Sequence, residues 1–227
     1  MEKQKAVVML SGGMDSATCL AVAIDSGYSA AVLHLNYGQR TQAKELDSFN
    51  KLCDFYGIKG KLVVDVGYFT QIGGSSLTDN KIEVENANLD SDMIPNSYVP
   101  FRNGNILAIA ASWAEVIGAT AIYSGATQAD SSGYPDCRQA FFNAFEKAIN
   151  LGTMPETKIK IFSPLINLTK AGIVALGGRL RVPFELTWSC YQNNDFPCGI
   201  CDSCALRQRG FNQAGIIESS LAKSARI

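Results

Sequence analysis

The chain has 227 residues, 47% of them hydrophobic and 18% charged, with a net charge of −1. It is long enough to bury a full core and too apolar for disorder. The near-zero charge argues against a broad basic face for long nucleic acid, and no stretch reaches the roughly 18 apolar residues of a membrane span.

The first apolar run, Val7-Val8-Met9-Leu10, stops at Ser11-Gly12-Gly13-Met14-Asp15-Ser16, after which an Ala/Cys/Leu-rich segment of helical spacing runs to about Asp25. This predicts a buried strand, a tight turn and a helix N-terminus at which Asp15 and Ser16 serve as caps. Unpaired N–H groups and the helix dipole at such a turn favour an anion, most often a phosphate. No lysine is present to make it a Walker loop. Ala30–Asn36 predicts a second strand, and Tyr37-Gly38-Gln39-Arg40 follows its end. A helix carrying Ala43, Leu46, Phe49, Cys53 and Tyr56 comes next, then a third strand over Lys61–Val66. Strand, helix, strand, helix, strand is the pattern of an open parallel sheet with right-handed crossovers. Ligands bind such sheets beyond the carboxyl ends of the strands, so Ser11–Ser16 and Tyr37–Arg40 are expected to face one cleft.

Periodicity is lost from Ile72 to about Pro100, a loop long enough to be a lid. Helical spacing returns from Ile106 to Ile117, closed by Gly118. A fourth strand is expected at Ala121–Ser124, a polar loop at Thr127–Arg138, a helix bearing Phe141, Phe142, Phe145 and Ile149, and a fifth strand at Ile159–Phe162. A short helix near Thr169–Leu176 and a C-terminal helix over Ala205–Ala214 complete the reading.

Cys190, Cys198, Cys201 and Cys204 place four thiols within fifteen residues, two gaps being C-x-x-C. Four such ligands close a tetrahedral zinc site and make it structural; an iron–sulfur cluster is the alternative. Seven cysteines in so long a chain point to a reducing, cytoplasmic setting. Cys19 and Cys53 fall on apolar helix faces and read as packing.

Asp15 is either a cap or, beside ATP, a magnesium ligand. Arg40 and Arg102 are either anion holders or solvated arginines. His34 is the only histidine and lies within a strand, where a core role is the default. A histidine-based hydrolase therefore has little to build on. Asp130–Asp136 is turn chemistry or a ligand-facing loop over the same cleft.

The Ser11-Gly12-Gly13-x-Asp15-Ser16 loop resembles the S-G-G-x-D-S loop of the PP-loop ATP pyrophosphatases. Further landmarks run the length of the chain: Tyr37-Gly38-Gln39-Arg40, Pro95–Pro100 with Arg102-Asn103, Asp130-Ser131-Ser132-Gly133-Tyr134-Pro135-Asp136-Cys137-Arg138, Ser163-Pro164-Leu165 and the four cysteines. Together they resemble the 7-cyano-7-deazaguanine synthases of the queuosine and deazapurine pathway. Thr41 departs from that pattern, where a histidine commonly follows, and so does Phe101-Arg102-Asn103-Gly104-Asn105.

The resemblance implies an α/β Rossmann-like nucleotide domain over residues 1–185 with a small zinc-binding subdomain over 186–227. It implies a ligase that uses ATP twice to turn a deazaguanine carboxylate and ammonia into a nitrile, releasing AMP and pyrophosphate. ATP with magnesium would sit on Leu10, Ser11, Gly12, Gly13, Met14, Asp15, Ser16, Ala17, Thr18, Cys19 and Leu20. Asp15, Arg40 and Asp136 are the expected catalytic residues; Arg102, Asn103, Asp130, Tyr134 and Asp136 would contact the substrate. Structural zinc on the four cysteines and a homodimer are further expectations, with no nucleic acid or membrane partner.

Overall fold

The computed structural model describes residues 3–89, 91, 93–128 and 133–218. Five strands form one parallel sheet in the order β3-β2-β1-β4-β5: β1 (Lys5–Met9), β2 (Ser29–Asn36), β3 (Gly60–Asp65), β4 (Ala121–Tyr123) and β5 (Lys160–Phe162). The helices are α1 (Met14–Asp25), α2 (Gln42–Phe55), α3 (Tyr68–Ile72), α4 (Arg102–Ile117), α5 (Gln139–Gly152), α6 (Lys170–Arg179) and α7 (Asp202–Ala214). None is long and apolar enough to cross a membrane among the described residues.

Alternation along the central strand explains the three layers. Ala6 and Val8 of β1 face a core shared with α1, α2, α6 and α7, while Val7 and Met9 face one shared with α4 and α5. Both faces are covered, so β1 is apolar from Ala6 to Met9. Phe211 of α7 belongs to the first core together with Leu20 of α1 and Ile173 of α6, so α7 packs against these helices through a shared interior. The open parallel sheet and the C-terminal cysteine cluster agree with the sequence reading.

Strand β1 pairs with β2 on one side and β4 on the other. The chain leaves β1 toward α1 and leaves β4 toward the opposite face, which opens a crevice between their carboxyl ends. The long loop is tied down at several points. Ser76 N donates to Asn96 O at 2.9 Å, Ala87 N donates to Ile200 O at 2.8 Å, and Asn86 bridges Cys201.

Several boundaries differ from the sequence reading. Gly13 is the N-cap of α1 and makes no side-chain cap bond. Asp15 and Ser16 therefore lie inside the first turn and are not its caps. Helix α4 begins at Arg102 rather than near Ile106, because Phe101 enters it in a left-handed conformation (φ 55°) and lays its ring across the first turn. A Cβ on Gly104 would stand 2.2 Å from that ring, so Phe101 and Gly104 fit only as a pair. Helix α3 has no counterpart in the sequence reading; at 5 residues it is too short to show a helical period.

Candidate active site

A cavity of about 270 Å³ opens at the crevice beyond β1 and β4. Leu10, Ser11, Gly13, Met14, Asp15 and Ser16 form one wall. The loop is shaped from within: Ser16 Oγ accepts from Ser11 N at 3.2 Å and donates to Gly13 O at 3.0 Å, and Ser11 Oγ accepts from Gly13 N at 3.3 Å. The first N–H groups of α1 have no carbonyl within the helix to bond, and no side chain caps them. They form a preorganised anion seat. Gly12 (φ +93°) packs on α2, where a Cβ would come 2.6 Å from Glu45 O. Any side chain there would be strained and would push the loop off its support.

Gly12, Ala17, Thr18, Cys19 and Leu20 do not line the cavity. The last four are completely buried, because the helix turns them onto the core within one turn. Thr18 Oγ1 donates back to Met14 O at 2.8 Å.

Asp15 carries the main charge contact of the wall: its Oδ2 accepts from Lys170 Nζ at 2.5 Å. Lys170 also lines the cavity. It is absent from the sequence expectations, although a signal was present. A lysine in the first turn of a helix opposes the dipole and calls for an anion, the same argument that singles out Arg40.

Arg40 itself is placed elsewhere. Its Nε donates to Ser76 O at 2.6 Å, and its Nη2 donates to Asp79 O at 3.1 Å and Ile82 O at 2.7 Å. The forked donors satisfy carbonyls of an irregular loop that has few ladder partners. Arg40 does not line the cavity, and its guanidinium anchors the loop.

Arg102, Asn103 and Tyr134 do line it. Arg102 Nη1 donates to Tyr37 Oη at 2.9 Å and its guanidinium lies 5.2 Å from the Tyr37 ring centroid. Among the described residues it joins no ion pair. A cation held by one phenol and one ring face is available to an anion. Asp136 does not line the cavity. It is 2% exposed, and its Oδ2 accepts from Asn103 N at 2.9 Å. It thus supplies the first turn of α4 with the cap that Phe101 lacks, a favourable position for a carboxylate. Its Oδ1 is buried without a hydrogen-bond partner among the described residues. Asp130 lies outside the described residues. Burial pushes the neighbouring Cys137 thiol up to about 11, so it remains protonated at neutral pH.

His34 is buried, and its Nδ1 lies 3.0 Å from Leu10 O. A contact to a carbonyl places the ring proton on Nδ1. Burial lowers its pKa from 6.5, with the Leu10 bond opposing. A depressed folded-state value means that stability is complete above the unfolded pKa of about 6.5 and is lost as pH falls below it. The thermal midpoint is expected to drop between pH 7.5 and 5.5. His34→Gln should flatten that drop, since no other histidine contributes; an unchanged pH profile in the variant would refute the assignment.

At the C-terminal end Cys190, Cys198, Cys201 and Cys204 bring their sulfurs within 4.8 Å of one another. The Cys198–Cys204 separation is 3.9 Å, close to the edge of about 3.8 Å that a tetrahedron with 2.3 Å zinc–sulfur bonds requires. Backbone N–H groups of Gln192, Asn193 and Cys198 point at Cys190 Sγ at 3.3–3.4 Å. Bonds from Cys201 and Cys204 hold Cys190 well below the usual thiol value, while Cys201 is pushed up to about 12. Four thiolates this close together repel one another, and a divalent cation between them offsets that repulsion. The donor set therefore fits a metal, and the observed gathering agrees with the sequence expectation. Trp188 joins this cluster to the anion loop: its N donates to Gly12 O at 2.9 Å.

Comparison with known proteins follows the same lines. The family model described as "Queuosine biosynthesis protein QueC" matches residues 5–215. A 7-cyano-7-deazaguanine synthase from Chloroherpeton thalassium is 56% identical over 212 residues, covering 93% of this chain and 94% of that one. One from Campylobacter curvus is 52% identical over 213 residues, covering 94% and 95%. Among solved structures, the NMN synthetase from Francisella tularensis superposes with a TM-score of 0.51 over 98% of this chain and 81% of that chain. At 15% identity it speaks for the fold alone. The chain belongs to the QueC family of queuosine biosynthesis proteins.

Proposed function

We propose that this chain converts 7-carboxy-7-deazaguanine and ammonia to 7-cyano-7-deazaguanine with the consumption of two ATP. The observation that carries the reading is the placement in one cavity of the anion seat of the Ser11–Ser16 loop and of Arg102, a cation that joins no ion pair among the described residues. The first can take the phosphates of ATP and the second a carboxylate. Family membership supplies the chemical identity of the acceptor.

The substrate carboxylate attacks the α-phosphorus of ATP, pyrophosphate leaves, and an acyl adenylate forms. Ammonia then attacks the acyl carbon, loses a proton, and expels AMP to give the amide. The amide oxygen attacks the α-phosphorus of a second ATP, again releasing pyrophosphate, and the amide nitrogen gives up one of its two protons. Loss of the remaining N–H proton and of AMP leaves the nitrile. The N–H groups at the start of α1 hold the charge that develops on the leaving pyrophosphate. Lys170 reaches the same wall and adds a positive charge to it. Magnesium, held by Asp15 once ATP draws Lys170 toward the phosphates, would neutralise phosphate charge. Arg102 orients the carboxylate for in-line attack. Zinc is the metal best suited to the four cysteines, where it would brace a C-terminal subdomain of residues 186–227 against a nucleotide domain of residues 1–185. A cytoplasmic homodimer without a nucleic acid partner completes the reading.

Purified protein incubated with ATP, magnesium, ammonium and 7-carboxy-7-deazaguanine should yield nitrile and two AMP per nitrile, read by chromatography and mass. AMP formation only in the presence of tRNA, or no turnover, would overturn the assignment.

A further inference from the structure

We propose that Glu45 reads the base, accepting the paired N–H donors of a guanine-type ring. The inference rests on the proposed function and names a contact within the same cavity. Glu45 stands in the first turn of α2 and lines the cavity together with Tyr37, Arg102 and Tyr134. Its carboxylate is locked in place. Oε1 accepts from Thr41 Oγ1 at 2.7 Å, and Oε2 accepts from Gln39 Nε2 at 3.1 Å. Gln39 is itself fixed at the end of β2, where its Oε1 accepts from Tyr37 N at 2.9 Å. Each carboxylate oxygen can accept two hydrogen bonds, so one remains open on each. Two parallel acceptors in a fixed plane match two adjacent donors.

Glu45 forms no ion pair among the described residues, although it lies near enough to Arg102 to feel its charge. Burial raises its pKa, with the Thr41 and Gln39 bonds opposing. A carboxylate and a guanidinium left unpaired in one cavity wall call for a ligand that carries the complementary groups. A 7-carboxy-7-deazaguanine offers them in sequence along one edge: the carboxylate, the ring carbonyl oxygen, the ring N–H and the exocyclic amine. The first two suit Arg102 and the last two suit Glu45. Flat walls for the ring come from Tyr37, Tyr134 and Tyr191. Adenine offers an amine beside an acceptor nitrogen, which would face a carboxylate oxygen with like polarity. The same residue thus favours the deazaguanine over the adenine of ATP.

Glu45→Gln replaces one acceptor by a donor at nearly constant shape. It is expected to raise KM for 7-carboxy-7-deazaguanine about 10- to 100-fold while KM for ATP stays within about twofold. An analogue lacking the exocyclic amine should lose affinity by a similar factor on the wild-type protein and by far less on the variant. Direct calorimetric binding of the base to both proteins supplies the readout where turnover is slow. If the variant is poorly folded, Glu45→Asp, which keeps the charge and withdraws it by one methylene, should show the same selective loss. A rise in KM for ATP instead, equal penalties for the analogue on both proteins, or no change would overturn the proposal. Failure of the wild-type protein to make nitrile, with normal binding of the base, would instead reject the proposed reaction.

Discussion

Lys170→Met is expected to lower the rate of AMP release by about two to three orders of magnitude, the usual loss on removing one preorganised charge from a developing oxyanion. The lysine stands where its charge calls for an anion. Its side chain is 9% exposed at the positive end of α6, where a cation is unfavourable, and its partner Asp15 is 28% exposed in the first turn of α1. The pair compensates in the resting protein, and both members line the cavity. Phosphate entry would exchange one carboxylate partner for several phosphate oxygens at Lys170 and free Asp15 for magnesium. Asp15→Asn should therefore also abolish AMP formation, while the two single variants differ in stability. Removing Lys170 leaves a carboxylate in a partly buried wall; removing the charge of Asp15 leaves an ammonium in a more buried one. The double variant should recover part of the lost thermal midpoint and none of the activity. Turnover of Lys170→Met within tenfold of wild type would show that the lysine serves Asp15 and not the phosphates.

This pair also marks the limit of what the sequence reveals. Asp15 sits in a motif whose strand, turn and helix are legible from ten consecutive residues. Lys170 is 155 residues away, and nothing local to it names Asp15 as its partner. Apolar runs made the strands legible, most clearly β1, β2 and β4, which are buried along most of their length, and the cysteine spacing made the metal cluster legible because its geometry is mostly local. Side chains whose roles depend on distant backbone were not legible. Arg40 shows this well, since its partners are carbonyls 36 to 42 residues on, in a stretch without periodicity. Asp136 carries the right chemistry for a base contact, yet the start of α4 takes its carboxylate first. Glu45 passed unnoticed because a glutamate in the first turn of a helix is common. Only its side-chain locks and its place in the cavity wall distinguish it.

Stripping the metal with a chelator is expected to cost the protein its loop order first and its activity with it. The cluster is connected to the site through short, specific bonds. Cys201 bridges Asn86, Ile200 O holds Ala87 N, and Trp188 N holds Gly12 O beneath the anion loop. The apolar interior around the sulfurs is small, consisting of Trp188 and the cysteines with Val84 and Tyr191 packed against them. Without a cation the four thiolates repel one another, and the knuckle has little else to define it. Its release would free the loop around residues 83–89, while Arg40 still holds the preceding stretch at Ser76, Asp79 and Ile82. Proteolysis and hydrogen exchange should therefore show new cleavage and faster exchange between residues 83 and 89, with the sheet still protected. Cys204→Ser should give the same pattern together with loss of bound metal. Arg40→Ala should open the other end of the loop, around residues 76–82, in a protein that retains its metal. Metal analysis should find about one zinc per chain; iron in its place would make the cluster a different cofactor, and an unchanged exchange pattern after chelation would mean that the loop is held without it.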